Sequence, residues 1–215
     1  MHSKVLGRKI VTQSLPALAE SFYERDPRRV ARDLLGKVLI RRSAKISRSA
    51  RIVEVEAYLG RGDLAAHAVA GLTARNHVIF GPPGRAYIYF IYGNHYCLNV
   101  SCEPEGEAGC VLIRALEPLT GIELMAHSRG IDFSPQLDLR QLTMGPGRLT
   151  EAFDITRIND NGRDLTTARS GLWIADDGWR PRRVAVTVRV GITKAAERKL
   201  RYLIAGNRFV SAPRV

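Results

Sequence analysis

Two glutamates two residues apart are the first candidates for chemistry in this sequence. Glu54 and Glu56 stand in the run RIVEVEAYLG, and Tyr58 follows at the same spacing. Alternate residues of a β-strand share one face, so this spacing sets both carboxylates beside an aromatic ring. A carboxylate held on a rigid strand could act as a general base. An ordinary amphipathic strand with both glutamates in water has the same pattern.

A row of tyrosines supplies a second set of candidates. The stretch YIYFIYGNHYCLN, residues 87–99, carries four tyrosines, three of them in an apolar run that stops at Gly93. Tyr92, at this break, could cap the core at the end of a strand. Alternatively, its ring could project outward and wedge between stacked bases, as in proteins that extrude a nucleotide. His67, in GDLAAHAVAG, is by itself typical of a structural hydrogen-bonding residue.

A Gly-Pro-Gly-Arg sequence leads into a predicted helix and is a third candidate. The backbone N–H groups of Gly145 and Gly147, with the guanidinium of Arg148, could contact a phosphate. The sequence matches neither G-x-x-x-x-G-K-[ST] nor G-x-G-x-x-G. It therefore indicates a phosphate contact only weakly.

The three cysteines indicate neither a disulfide framework nor a metal centre. Cys97, Cys102 and Cys110 have the spacings C-x4-C and C-x7-C, without a C-x-x-C zinc pattern, although His95 lies nearby. The N-terminus lacks a secretory apolar segment, and no apolar run approaches the about 20 residues that cross a bilayer. We expect a cytoplasmic, nucleoid-associated protein that makes no membrane contact and uses no cofactor or metal.

The charge distribution favours a polyanionic partner. The 215 residues include 33 Lys and Arg against 21 Asp and Glu, a net charge of +12. Residues 1–51 hold 13 basic against 4 acidic residues and residues 180–215 hold 10 against 1, whereas residues 52–179 hold 10 against 16. Basic ends around an acidic middle fit a protein that grips nucleic acid and keeps carboxylates for chemistry, or simply a basic surface.

The elements that must position these residues form a mixed pattern. Strands are predicted at KVLIRRS, ARIVEVEAYLG, AYIYFIYG, YCLNVSC, GCVLIRALEP, GLWIADD and RRVAVTVRVGI, with a last strand or turn near 200–210. Helices are predicted over 16–36, interrupted near Pro27, at LTGIELMAHSRG with a Thr120–Glu123 capping box, and at GPGRLTEAFDI. The sequence predicts one α+β domain over 1–215, with a central, mostly antiparallel sheet, peripheral helices and a flexible segment at 1–15.

A Pro-Pro-Gly turn determines where the tyrosine strand should lie. Residues 82–84 precede that strand and follow the glutamate strand in the chain. A tight turn there would return the tyrosine strand beside the glutamate strand. We therefore expect Tyr87 or Tyr89 to lie near Tyr58 and Glu56.

Several longer motifs, in this order, resemble the alkyladenine (3-methyladenine) DNA glycosylase family. They are EVEAYLG, AAH, TARN, FGPPGRAYIYFIYGNHYCLNV, VLIRALEPLTG and MGPGRL. The resemblance runs from ARDLLGKVLI to RVGITKAAERKLRY, which is most of the chain. It implies a monomer with an antiparallel sheet core that removes damaged purines from double-stranded DNA without a metal.

The resemblance also implies roles for single residues in the reaction. Glu56 looks like the general base that activates water, and Arg114 matches an arginine that helps to hold it. Tyr92 matches the ring inserted into the minor groove where the nucleotide leaves. Asn94 stands where many members have methionine, which puts a second apolar wedge in doubt.

Four further positions match the family's base pocket. Tyr58 and His67 match residues that line it, and Tyr89 matches the residue that closes it. Asn99 matches a residue that screens purines at the pocket floor. The segment 68–74, AVAGLTA, is less polar than in many members.

Two rival functions share some of these features. A basic module that stacks bases without chemistry would need the tyrosines and the charge, but not Glu56. A metal-dependent nuclease could use Glu54, Glu56 and Asp63 as ligands. The motifs favour hydrolysis of the N-glycosidic bond, and the matching motif lacks a lysine nucleophile, so no strand cleavage is expected.

Overall fold

The chain folds as helices around one antiparallel sheet. The computed structural model describes residues 15–43, 46–91 and 95–211. The strands are β1 (Val38–Ser43), β2 (Ile46–Tyr58), β3 (Ala86–Ile91), β4 (His95–Cys102), β5 (Gly109–Thr120), β6 (Leu172–Ala175), β7 (Val184–Thr187) and β8 (Arg201–Ile204). The α-helices are α1 (Glu20–Tyr23), α2 (Pro27–Leu34), α3 (Ile122–Ser128), α4 (Arg140–Thr143), α5 (Pro146–Ala152) and α6 (Arg157–Asp160). Short 3₁₀ helices cover His67–Ala70, His77–Phe80 and Ala168–Ser170.

Strand β2 is the centre of the sheet. The main path runs β3-β4-β5-β2-β1-β6, and all pairs are antiparallel. β5 pairs along one edge of β2, whereas β1 and β8 share the other edge, and β7 extends the sheet from β8. The predicted α+β class with an antiparallel sheet is confirmed, and the predicted segment 1–15 lies outside the described residues except for Leu15.

The two faces of β2 carry different chemistry. Val53, Val55 and Ala57 belong to the main hydrophobic core, together with apolar residues of α2, α3, α4 and α5. Because side chains alternate along a strand, Glu54 and Glu56 point to the opposite face. Both glutamates are fully buried. The interpretation of β2 as an amphipathic strand with its glutamates in water was therefore wrong, since polypeptide covers both faces of this strand.

The start of α2 follows its sequence pattern. Pro27 is its first residue, and the side chain of Asp26 accepts a hydrogen bond of 2.8 Å from the Arg28 N–H. Proline suits this position because the N–H that it lacks would have no partner inside the helix. Gly36 follows the helix with a φ of 89°. The predicted interruption at Pro27 and the ending at Gly36 are confirmed.

The predicted capping box at Thr120 and Glu123 was wrong. Thr120 ends β5, and its hydroxyl lies 2.8 Å from that of Ser49 on β2. Gly121 is the N-cap of α3, with a φ of 71° and no side-chain cap. The sheet pairing engages Thr120, so the chain turns one residue later, where a Cβ atom would lie 2.5 Å from the Ser47 carbonyl.

The tyrosine strand is not adjacent to the glutamate strand. β3 pairs with β4, and β4 and β5 both lie between β3 and β2. The predicted return of β3 onto β2 was therefore wrong. The predicted proximity of Tyr87 and Tyr89 to Tyr58 is confirmed, because these side chains pack in one cluster on the same face of the sheet.

Gly121→Ala should destabilise the fold more than a left-handed conformation alone explains. We expect a loss of about 2 kcal/mol or more, since positive φ and the contact with backbone both oppose a side chain. Gly130→Ala is the matched control, because Gly130 also has positive φ (62°) but nothing lies within 4 Å of its added Cβ. Urea unfolding measures both, and equal losses would contradict the steric account.

Candidate active site

Sheet register brings residues of four strands onto one face. Tyr87 of β3 lies opposite Asn99 of β4, Asn99 lies opposite Leu112 of β5, and Leu112 lies opposite Glu56 of β2. Directly opposed residues of antiparallel strands project to the same side of the sheet. A second row joins Cys110 to Tyr58. The face opposite the main core is therefore built from residues far apart in sequence.

A cavity of about 450 Å³ lies on this face. Its size falls within the roughly 300–1,000 Å³ of small-molecule sites. The lining residues are Tyr58, Ala65, His67, Tyr87, Tyr89, Cys97, Asn99, Cys110, Leu112, Arg114, Pro146, Val190, Gly191 and Ile192. The structure thus brings together the predicted pocket residues Tyr58, His67, Tyr89 and Asn99, along with Arg114.

Glu56 lies directly behind the cavity wall. Its Oε2 atom accepts a hydrogen bond of 2.9 Å from the Tyr58 hydroxyl, and its Oε1 atom accepts one of 2.7 Å from the Val190 N–H. Arg114 Nη1 lies 3.2 Å from Oε1. All three partners line the cavity, although Glu56 itself does not. The carboxylate is therefore fixed at both oxygens by groups that also face the cavity.

The aromatic side chains of the cavity are held in contact with one another. The rings of His67 and Tyr89 meet edge to face, with centroids 4.7 Å apart, and those of Tyr87 and Tyr89 lie 5.6 Å apart. His67 Nδ1 and the Tyr87 hydroxyl are joined by a hydrogen bond of 2.9 Å. These contacts preset the positions of three rings that could stack on a flat ligand.

Burial keeps the ring-bearing side chains of this wall uncharged at neutral pH, whereas Arg114 keeps its positive charge. The pKa of His67 is lowered by desolvation and by the nearby charge of Arg75. Desolvation also raises the pKa of Tyr87 to about 12. The pKa of Tyr58 is raised by desolvation and by the negative charge and hydrogen bond of Glu56. The wall therefore presents neutral rings beside the charged guanidinium of Arg114.

Asn99 lines the cavity and is held in place by backbone and side-chain contacts. It is buried, and its Nδ2 donates a hydrogen bond of 3.1 Å to the Tyr87 carbonyl. Its Oδ1 accepts a weak contact of 3.9 Å from the Cys110 thiol. The orientation of the amide is therefore set on both sides.

A buried ion pair stabilises the loop beside the cavity. Asp63 binds Arg189 through two hydrogen bonds of 2.6 and 2.7 Å, and neither side chain is exposed. The Leu59 and Ala65 N–H groups also donate to Asp63. The Arg189 guanidinium lies 4.7 Å from the centre of the Tyr58 ring, on the ring's face. Asp63 and Arg189 thus support Tyr58 from behind.

The residues that sequence reasoning missed lie in and beside the segment 189–192. Val190 contacts Glu56 through its backbone N–H, so its side-chain type gives no indication of this role. Arg189 appears as one of many basic residues near the C-terminus. RVGIT opens the last segment of the family resemblance, RVGITKAAERKLRY, but no spacing rule connects it to β2.

The predicted phosphate loop reaches the cavity only through Pro146, since Gly145, Gly147 and Arg148 are not among the lining residues. Gly145 precedes α5 with a φ of 125°, and Arg148 on that helix is exposed. A Cβ atom at Gly147 would lie 2.8 Å from the His95 ring, which explains that glycine by packing. Contacts of these three residues with phosphate stay a prediction. Tyr92 and Asn94 lie outside the described residues.

The carboxylates proposed for a metal site are paired with arginines. Glu54 and Glu56 contact Arg114, and Asp63 contacts Arg189. In the described ranges, no three His, Cys, Asp or Glu side chains are placed to share an ion. The three cysteines are free and buried. No helix among the described residues has the length and hydropathy to cross a membrane.

Comparisons with known proteins point to one family. The family described as methylpurine-DNA glycosylase (MPG) matches residues 21–208. A protein of Koribacter versatilis named "Putative 3-methyladenine DNA glycosylase" is 56% identical to this chain over 209 residues. The aligned residues cover 97% of this chain and 99% of the Koribacter protein. A protein with the same name from Methanoculleus marisnigri is 48% identical, and the alignment covers 92% of this chain and 98% of that protein. Another, from Burkholderia lata, is 46% identical, and the alignment covers 91% of each chain.

Asp63→Asn should destabilise the protein strongly. Breaking a buried pair leaves Arg189 uncompensated, so we expect a loss of about 3–5 kcal/mol in the free energy of unfolding at pH 7. Asp33→Asn, which breaks a half-exposed pair with Arg25, should cost less than about 1 kcal/mol. Denaturant unfolding of both variants checks this, and similar losses for the two would contradict it.

The effect of Asp63→Asn should also depend on pH. Burial raises the pKa of the Asp63 carboxyl, but the hydrogen bonds from Arg189 and the Leu59 N–H outweigh it, so the pKa is lowered in the folded state. The stabilisation is present above the unfolded-state pKa and is lost as pH falls through the folded-state pKa. The difference in stability between parent and variant should therefore shrink in acid.

Proposed function

The chain belongs to the methylpurine-DNA glycosylase family, and on this premise we propose that it excises alkylated purines rotated out of duplex DNA with Glu56 as general base. Family membership makes it a DNA glycosylase of base excision repair, a hydrolase that cleaves N-glycosyl bonds in DNA. A non-enzymatic binding module is thereby set aside. The substrates, the role of Glu56 and nucleotide rotation are the proposal. The observation that carries it is Glu56, fixed behind an aromatic cavity by three cavity-lining residues.

The substrate base would enter the cavity by rotation from the duplex. A base inside the stack is out of reach of a residue buried behind a cavity wall, so the nucleotide must leave the helix. Tyr58, His67 and Tyr89 supply rings for stacking, a contribution of about 1–3 kcal/mol per base. Electron-poor alkylated purines should stack more strongly than normal bases, and they unpair at lower cost.

Hydrolysis would proceed by attack of water on C1′ of the deoxyribose. Glu56 accepts a proton from the water, the new C–O bond forms, and the C1′–N bond breaks with its electron pair leaving on the base. The products are an abasic site and a free purine. A positioned general base contributes typically 10²–10⁴-fold. The same carboxylate would stabilise positive charge that develops on the sugar.

The charge of the leaving base determines which lesions react fastest. A purine alkylated at N3 or N7 is already cationic, so it departs without an added proton. Hypoxanthine and ethenoadenine are neutral and need a proton donor. His67 is neutral at pH 7 because burial lowers its pKa, and burial raises the pKa of Tyr87. Cationic 3-methyladenine and 7-methylguanine are therefore the preferred substrates.

Contacts with the rest of the duplex complete the proposal. Tyr92 would occupy the space left by the rotated nucleotide. The exposed Arg148, with Gly145 and Gly147, would contact the backbone phosphates. A monomer that carries this cavity has every catalytic group it needs within one chain.

Glu56→Gln should abolish most activity without loss of DNA binding. The amide keeps the shape of the side chain but cannot accept the proton from water, so we expect excision to slow by about 100-fold or more. The measurement is single-turnover release of 3-methyladenine from methylated duplex DNA in EDTA. Glu117→Gln, on β5 outside the cavity wall, is the isosteric control. Parental rates in both variants would refute the role of Glu56.

The charge of the damaged base should determine the order of the excision rates. With saturating enzyme, 3-methyladenine and 7-methylguanine should be released faster than hypoxanthine, since only the last needs protonation. The same single-turnover assay on defined duplexes measures all three. Excision of hypoxanthine as fast as 3-methyladenine would mean that the cavity contains an effective general acid.

A further inference from the structure

Glu54 is a buried carboxylate that the proposed reaction does not use. It is fully buried and does not line the cavity. Its Oε1 atom accepts hydrogen bonds from Arg114 Nε (2.9 Å), Arg201 Nε (2.7 Å) and Ser211 Oγ (2.8 Å). Its Oε2 atom accepts one of 2.6 Å from the Ser211 N–H. Four donors from three parts of the chain therefore converge on one side chain.

Arg114 is held by both glutamates of β2. Its Nε atom binds Glu54 Oε1 at 2.9 Å, and its Nη1 atom lies 3.2 Å from Glu56 Oε1. The guanidinium group is planar and rigid, so fixing one edge determines where the other nitrogens point. Glu54 thus determines the position of the charge that faces Glu56.

We propose that Glu54 is a positioning residue for hydrolysis, which acts on Glu56 through the Arg114 guanidinium. This inference rests on the proposed role of Glu56. Glu54 touches neither the cavity nor a base within it, so it contributes no contact with the substrate. Its effect is to keep Nη1 of Arg114 beside Glu56 Oε1 while DNA binds and the base leaves.

The C-terminal end of the described chain takes part in this positioning. Ser211 donates two hydrogen bonds to Glu54, and its carbonyl accepts one of 3.0 Å from Arg201 Nη2. Arg201 also binds Glu54, so the three residues form a closed ring of contacts. The family match ends at residue 208. Ser211 therefore contributes to the site from outside the matched region.

The local charges explain why the arrangement is stable. The carboxylates of Glu54 and Glu56 face the guanidinium groups of Arg114 and Arg201, which balances two negative charges with two positive ones. A buried charge is tolerated only when it is paired and hydrogen-bonded. Removing the charge of Glu54 leaves Arg114 with Glu56 as its remaining anionic partner in this cluster and without its fixed edge.

A double-mutant cycle on glycosylase activity tests the inference. Glu54→Gln should slow single-turnover release of 3-methyladenine by about 10- to 100-fold, as expected when a catalytic group shifts. Affinity for duplex DNA that contains an abasic-site analogue should stay at the parental value. Because Glu54 acts through Arg114, the variant Glu54→Gln/Arg114→Ala should be no slower than Arg114→Ala alone. Multiplied effects, or a parental rate in Glu54→Gln, would overturn the inference.

Two further variants separate positioning from general destabilisation. Asp177→Asn breaks a similarly buried carboxylate–arginine pair, with Arg51, whose members do not line the cavity. It should lower Tm and leave the excision rate unchanged. Ser211→Ala removes one donor to Glu54, and it takes the place of Glu54→Gln in the cycle if that variant does not fold. Its effect should likewise vanish in an Arg114→Ala background, and an effect that persists there would overturn the inference.

The parent protein distinguishes this inference from the proposed function. If the parent releases methylpurines but the effects of the two substitutions on the rate multiply in the cycle, only the role of Glu54 is overturned. An inactive parent on methylated DNA would overturn the proposed function, and with it the inference that depends on it.

Discussion

The structure depends on supplying partners to two carboxylates that strand β2 buries away from water. Transfer of an unpaired carboxylate into a protein interior costs several kcal/mol, so each must meet positive or N–H partners. Glu54 and Glu56 receive them from β5, β8, the segment after β7 and the C-terminal end. The strands on the two edges of β2 supply two of these partners, Arg114 of β5 and Arg201 of β8. Segments distant in sequence therefore converge behind the cavity.

The sheet separates stability from chemistry by its two faces. One face of the central strands is apolar and packs under helices, where burial of hydrocarbon supplies the driving force for folding. The other face carries the carboxylates, tyrosines and Asn99, and it is covered by loops, by two short 3₁₀ helices and by the start of α5. Because both faces belong to the same rigid strands, packing on one side holds the geometry of the other. The buried ion pair of Asp63 and Arg189 joins two of the covering segments, one after β2 and one after β7.

The sequence predicted the elements better than their arrangement. Proline at the start of α2, the alternating strands and the glycine-rich approach to α5 all act locally, so their patterns predicted the correct elements. The position of β3 failed, because turn residues show that the chain reverses but not which strand it then joins. The cap of α3 failed because Thr120 was engaged by Ser49 across the sheet. Both errors come from long-range pairing, which a local pattern does not contain.

The sequence by itself determined which residue types were available: two alternate glutamates, a row of tyrosines, a histidine, and motifs specific enough to indicate the family. The strand pattern alone could not distinguish Glu54 from Glu56, since both share one face of β2, and only the family resemblance singled out Glu56. Tertiary structure gives the two carboxylates different partners. Glu56 meets Tyr58 and Val190, which line the cavity, whereas Glu54 meets Arg201 and Ser211, which do not. The physical reason is that burial, charge pairing and access to a cavity are properties of the neighbours that folding brings together.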